Sequence, residues 1–216
     1  RRERPLHRDV QVVRDVLPVQ ARLDVLDLDV PRRSREARSV LLAERVLSVE
    51  AAIASGSYAA QELGGTLILR FHAEIAGDLV PEWVGRWRDA EVRVGEHHPP
   101  PPYRVPLLMR DYTEDLRTRL ENASGKMDDL VLELLAFAEG RLLSIHPFND
   151  FNGRVARLFL RELLRRLDLP PVDLVPADDA GRPNYFAALR AGDGNDWRPL
   201  MKIWEQRFER FDDANP

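Results

Sequence analysis

From residue 34 onward, apolar positions recur mostly at helical spacing. Val40, Leu41, Leu42, Val46, Leu47, Val49, Ala52 and Ile53 return every three or four residues, and Ser55-Gly56-Ser57 interrupts them, which predicts two successive helices within 34–63. After Gly64-Gly65, the series Leu67, Leu69, Phe71 and Ile75 predicts a further helix that stops near Gly77 and Pro81. Helices are also predicted over 105–120 and 127–143. In the second of these, Leu130, Val131, Leu134, Leu135, Phe137 and Ala138 mark a rod buried on most of its sides. The next begins near Asn152, carries Val155, Leu158, Phe159, Leu163, Leu164 and Leu167, and is closed by Pro170-Pro171. A last amphipathic stretch over 184–211 is broken at Gly192-Asp193-Gly194.

Two regions depart from this texture. Glu91-Val92-Arg93-Val94 alternates as a short strand, and the four prolines at 99–102 admit only extended chain, so a surface hairpin flap is expected there. Residues 1–35 are charged, hold several prolines, and show one brief alternation at Leu23, Val25, Leu26, Leu28 and Val30, the pattern of a loosely packed arm or edge. The expected fold is therefore all-α, a helical bundle with a small β-hairpin flap. Residues 1–63 form an N-terminal arm and helical extension, and 64–216 the main domain.

Composition narrows the function classes. The 216 residues contain no cysteine, which removes disulfides, thiolate metal sites and cysteine nucleophiles. A net charge of −4 argues against nucleic acid as a partner. No apolar run approaches the roughly 18–20 residues needed to span a bilayer, so no membrane partner is expected and the cytoplasm is the expected location. Lys126 and Lys202 are the only lysines; nearly all positive charge is guanidinium.

Candidate chemistry concentrates in HPFNDFNGRVAR, residues 146–157. If helices flank 144–151, the crossover ends on the free N–H groups of the second helix's first turn, which attract anions. Asn152 and Gly153 suit a tight concave backbone, and Arg154 and Arg157, three apart, project to one side where two guanidiniums can grip a polyphosphate. Asp150 becomes useful if Mg²⁺ bridges its carboxylate to phosphate oxygens. His146 is the side chain suited to take a proton from a hydroxyl at neutral pH. Phosphate cradle, metal carboxylate and base together read as nucleotidyl or phosphoryl transfer.

The same stretch resembles the signature of the Fic (Fido) family, His-x-Phe-x-acidic-small-Asn-Gly-Arg-x-x-Arg, with His146, Phe148, Asp150, Asn152, Gly153, Arg154 and Arg157 in register. Residues 71–95 with VPLLM at 105–109, and RPNYFAALRAGDGNDWRPL at 182–200, look like further parts of that family. The resemblance implies a Fic-type helical bundle that moves AMP from ATP to a Ser, Thr or Tyr hydroxyl of a target protein. It implies His146 as general base, Asp150 as Mg²⁺ ligand, and Asn152, Gly153, Arg154 and Arg157 on the phosphates. Phe148 becomes a buried anchor, and Asn184 and Tyr185 border the nucleoside. Glu91, Val92, Arg93 and Val94 become the flap on which an extended target segment docks by strand addition. A homodimer is admitted as an assembly.

Two departures are visible. Phe151 stands where the family pattern has a small residue, and an aromatic side chain at positive φ is strained. The inhibitory helix of many relatives also lacks a strict match: within VEAAIASGSYAAQEL (49–63) the slot near Ala59 is not acidic, and Glu50 and Glu62 are imperfect substitutes, so little self-inhibition by that route is expected. The competing functions are removal of such a modification by hydrolysis and a silent binding module disabled by Phe151. His72-Ala73-Glu74, His97-His98 and the acidic run at 193–196 each lack the further ligands that a metal site requires.

Overall fold

The computed structural model describes residues 32–123, 128–175 and 181–215. Among them, seven α-helices follow one another: α1 Arg32–Ala54, α2 Gly65–Ala76, α3 Val105–Asn122, α4 Asp129–Ile145, α5 Asn152–Arg166, α6 Gly181–Asp193 and α7 Arg198–Ala214, with 3₁₀ turns at Gly77–Leu79 and Pro102–Arg104. The all-α expectation holds. Most of the arm expected over 1–35 lies outside the described residues, as does Met127.

α4 is the axis of the molecule. It packs against α3, α5, α6 and α7, and its Val131, Leu134, Leu135, Phe137, Leu142 and Ile145 are all buried, so it is apolar nearly all round as a central rod must be. Asp128 starts it, its carboxylate accepting from Leu130 N at 3.1 Å and Val131 N at 3.0 Å, a cap that stabilises by about 1 kcal/mol. α6 and α4 approach closely around Trp197: a Cβ built on Gly140 would sit 2.7 Å from its ring and one on Gly192 2.5 Å. Only glycine leaves room for the indole at both places. On the other side, α1 lies across α5 and α2.

Two local expectations are corrected. The second helix expected before residue 63 does not form; 55–60 is a run of turns in which Gly56 takes a positive φ, as the Ser-Gly-Ser sequence permits. The flap is not a two-stranded hairpin. Its pairing reduces to one antiparallel bridge, Val94 with His97, closed by Val94 N to His97 O at 3.1 Å and His97 N to Val94 O at 2.9 Å. The physical reason lies downstream: the prolines at 99–102 have no N–H to donate, so no second ladder strand can follow.

Candidate active site

The segment 146–151 is a short crossover from the end of α4 to the start of α5, and a left-handed non-glycine residue stands at each end of it. His146 is at φ 51° and Phe151 at φ 67°. Each such residue costs roughly 1–2 kcal/mol, so surrounding contacts must hold the loop. Asn152 supplies a central one. Its side-chain amide accepts from Phe148 N at 2.9 Å and donates to Phe148 O at 2.8 Å, clamping the loop from below. The Asn152 side chain is thus committed to architecture, and its main-chain N–H remains as the group that can meet an anion. Phe148 itself is fully buried, stacked on the His72 ring at 4.0 Å and 7° and 5.3 Å from the Trp87 ring. It is the anchor expected of that position.

Phe151 keeps the left-handed backbone that a small residue would take, and its ring turns into an aromatic cluster. It lies 6.1 Å from Trp83 and 6.1 Å from His72, and is 7% exposed. Burying such a ring stabilises by roughly 1.5–3 kcal/mol, against roughly 1–2 kcal/mol of backbone strain, so packing decides the conformation. The Arg154 guanidinium lies over the same ring at 5.6 Å, which also steers that cation.

The α5 N-terminus behaves as such turns do. Phe151 O accepts from Arg154 N at 3.0 Å and Val155 N at 2.9 Å, and the amides of Asn152 and Gly153 have no acceptor within the helix. Asp150 Oδ1 accepts from Phe151 N at 2.7 Å, which fixes the carboxylate beside those amides. His146 is buried, with its N–H on Leu142 O at 3.1 Å. Arg157, one turn into α5, is close enough to Tyr185 to act on its ionisation. Tyr185 donates to Glu139 at 2.7 Å, and burial, followed by the Glu139 charge, pushes its pKa well up. Asn184 is exposed. On the flap, Val92 is buried, Glu91 and Arg93 are exposed, and Val94 is half-buried.

Three features escaped the sequence. Arg88, buried among carbonyl oxygens of loop and flap, reads in RWRD like its exposed neighbour Arg86. His72 lies under the loop as a fully buried imidazole whose Nδ1 accepts from Gly85 N at 2.9 Å; its Nε2 reaches no partner in hydrogen-bonding geometry, and the Asp150 backbone nearby acts to raise its pKa. Burial lowers its pKa to about 4. Glu139 and Arg207 form a buried ion pair at 2.7 Å between α4 and α7. The available signal was Glu139 inside an apolar helical stretch, shared with Glu133 of the same helix.

The Fic/DOC family model matches residues 63–164. "Protein adenylyltransferase Fic" of Drosophila grimshawi is 33% identical over 136 residues, 63% of this chain and 26% of that protein. Its namesake in Nematostella vectensis is 31% identical over 150 residues, 68% of this chain and 33% of that protein. The chain therefore spans between a quarter and a third of the length of these curated relatives. Fic-1 (residues 134–508) from C. elegans superposes with a TM-score of 0.61 at 22% identity, covering 93% of this chain and 59% of that one. A Fic family protein from Desulfovibrio desulfuricans G20 gives a TM-score of 0.63 at 22% identity, covering 82% and 55%. At that identity, these superpositions establish the shared fold. Residues 63–164, which carry the loop bridging α4 and α5, thus belong to the Fic/DOC family.

Proposed function

We propose that the protein transfers AMP from ATP to a Ser, Thr or Tyr hydroxyl of a target protein, with His146 as general base. The observation that carries this reading is the six-residue crossover, which joins an imidazole at the end of α4 to the open amides at the start of α5. In the reaction, His146 takes the hydroxyl proton, the oxygen bonds to the α-phosphorus, and the bond to the β-phosphate oxygen breaks to release pyrophosphate. The amides of Asn152 and Gly153 and the guanidiniums of Arg154 and Arg157 bind the phosphates, where fixed donors stabilise developing charge. Asn184 and Tyr185 border the nucleoside.

Asp150 would hold the Mg²⁺ ion. Among the described residues no three or more His, Cys, Asp or Glu cluster so that they could hold a metal ion, so the fit rests on this one carboxylate. Mg²⁺ commonly uses only one or two, sharing the rest of its shell with substrate phosphates and water. When bound, the ion neutralises phosphate charge. The target docks as an extended segment along 91–94, where no backbone-to-backbone hydrogen bond among the described residues engages 91–93 and an added strand can pair. Among the described residues no helix is long and apolar enough to cross a membrane.

The test incubates the protein with Mg²⁺, a cell lysate and ATP labelled at either the α- or the γ-phosphate. Label from the α-position should enter protein, and His146→Ala should lower the rate about 10²–10⁴-fold, the share that a positioned base commonly supplies. Incorporation from the γ-position, or an unchanged rate in the variant, would sink the reading.

A further inference from the structure

The C-terminal end of α4 is closed by the His146 N–H on Leu142 O and, beyond that, by donors from Arg88 and the flap. Four consecutive carbonyls leave this helix end, and all four accept from Arg88 or from His97 on the flap. Ser144 O accepts from His97 Nε2 at 3.0 Å, Ile145 O from Arg88 Nη2 at 3.4 Å, His146 O from Arg88 Nε at 2.8 Å, and Pro147 O from the Arg88 amide at 2.8 Å. The other donors of the Arg88 fork turn the opposite way, Nη1 to Ala90 O at 3.0 Å and Nη2 to Pro100 O, the two ends of the flap. Arg88 is 2% exposed.

From this geometry we propose that Arg88 is a positioning residue, coupling the orientation of the His146 base to the placement of the target-docking flap. One planar cation touches both jaws of the flap and the residue that carries the imidazole. His146 sits in a left-handed conformation, and the Arg88 Nε bond to its carbonyl helps to hold it there, together with its own N–H to Leu142 O. Loss of that bond frees the residue to relax toward right-handed backbone and swings the ring. Loss of the Ala90 and Pro100 bonds lets the flap ends part. A lysine would keep a charge at the negative pole of the helix but has a single ammonium in place of the guanidinium's fixed fork, so it cannot span both groups. Burial lowers the Arg88 pKa from the ordinary guanidinium value, and the Glu91 carboxylate opposes that shift. The outer tether is His97, whose Nδ1 also lies 3.3 Å from Asp193 on α6; Glu96 and His98 flank it on the flap.

This inference rests on the adenylyl-transfer reading only where turnover is measured. Amide hydrogen exchange on the full chain needs neither nucleotide nor target. Arg88→Lys should speed exchange at Val94 and His97 in the flap and at Phe148 in the loop together, each at least tenfold, while amides in the middle of α5 and α7 keep their wild-type rates. His97→Ala should speed the flap amides and leave Phe148 unchanged. In the transfer assay, Arg88→Lys should lower kcat and raise KM for the target at once. Faster flap exchange with Phe148 unchanged in Arg88→Lys would overturn the coupling, as would protection lost throughout α5 and α7, which makes Arg88 a general stabiliser. A wild-type protein that transfers nothing would defeat the enzymatic reading and leave the exchange result to decide this one.

Discussion

At the scale of single residues, the loop is held by groups that do no chemistry. His72 lies flat under Phe148 and is buried as neutral imidazole, with a folded pKa of about 4 against 6.5 for the free side chain. Between those values the unfolded chain binds a proton that the folded chain refuses. Its contribution is therefore complete above about pH 6.5 and is lost as pH falls toward 4, to a total of about 3 kcal/mol. Urea unfolding at pH 7 and pH 4.5 should show a smaller acid loss for His72→Asn than for wild type, by roughly 2–3 kcal/mol, because the asparagine oxygen can still accept from Gly85 N and carries no titrating proton. Equal losses would remove His72 from the account. The histidine was visible in the sequence, but its ring stack was not, because it depends on a loop residue 76 positions away.

At the scale of elements, helical periodicity located α2 through α7 closely, since each buries an apolar stripe in the core. Prediction failed where chain chemistry outweighed pattern: Glu91 to Val94 alternates like a strand, yet the prolines that follow deny it a partner. α1 also bears on control. Glu50 is held near Arg161 at 2.8 Å, one turn beyond Arg157, as a charge contact without hydrogen-bond alignment, and Glu62 is exposed. The Ala59 slot is exposed too, and Tyr58 beside it donates to Glu74. Glu50→Gly and Glu62→Gly should each change the transfer rate less than about twofold, because a half-exposed ion pair contributes only about 0–1 kcal/mol. A tenfold gain in either variant would show that an inhibitory carboxylate exists after all.

At the scale of the whole molecule, α4, α6 and α7 are bolted together by a polar knot. Arg207 donates to Glu139 at 2.7 and 3.1 Å and to Leu174 O at 3.1 Å, and Tyr185 completes the carboxylate's partners. Removing one member strands a buried charge, so Arg207→Met should destabilise by about 3–5 kcal/mol in chemical denaturation. Replacing Glu139 and Arg207 together with Leu and Met should recover much of that loss; no recovery would mean the knot is more than a charge pair. The HPFNDFNGRVAR loop was legible as a candidate site because its residue types are chemically suggestive in themselves. The knot and the capping of α4 were not, because their partners are carbonyls and distant side chains that no local pattern marks.

The indoles of Trp83 and Trp87 stand 6.1 and 5.3 Å from the rings of Phe151 and Phe148, while Trp197 and Trp204 belong to α7 and the turn before it. The chain thereby carries its own optical gauge. Two of its four indoles border the loop, and with Trp197 and Trp204 replaced by Phe the remaining indole emission reports on arrivals at that loop without any attached dye.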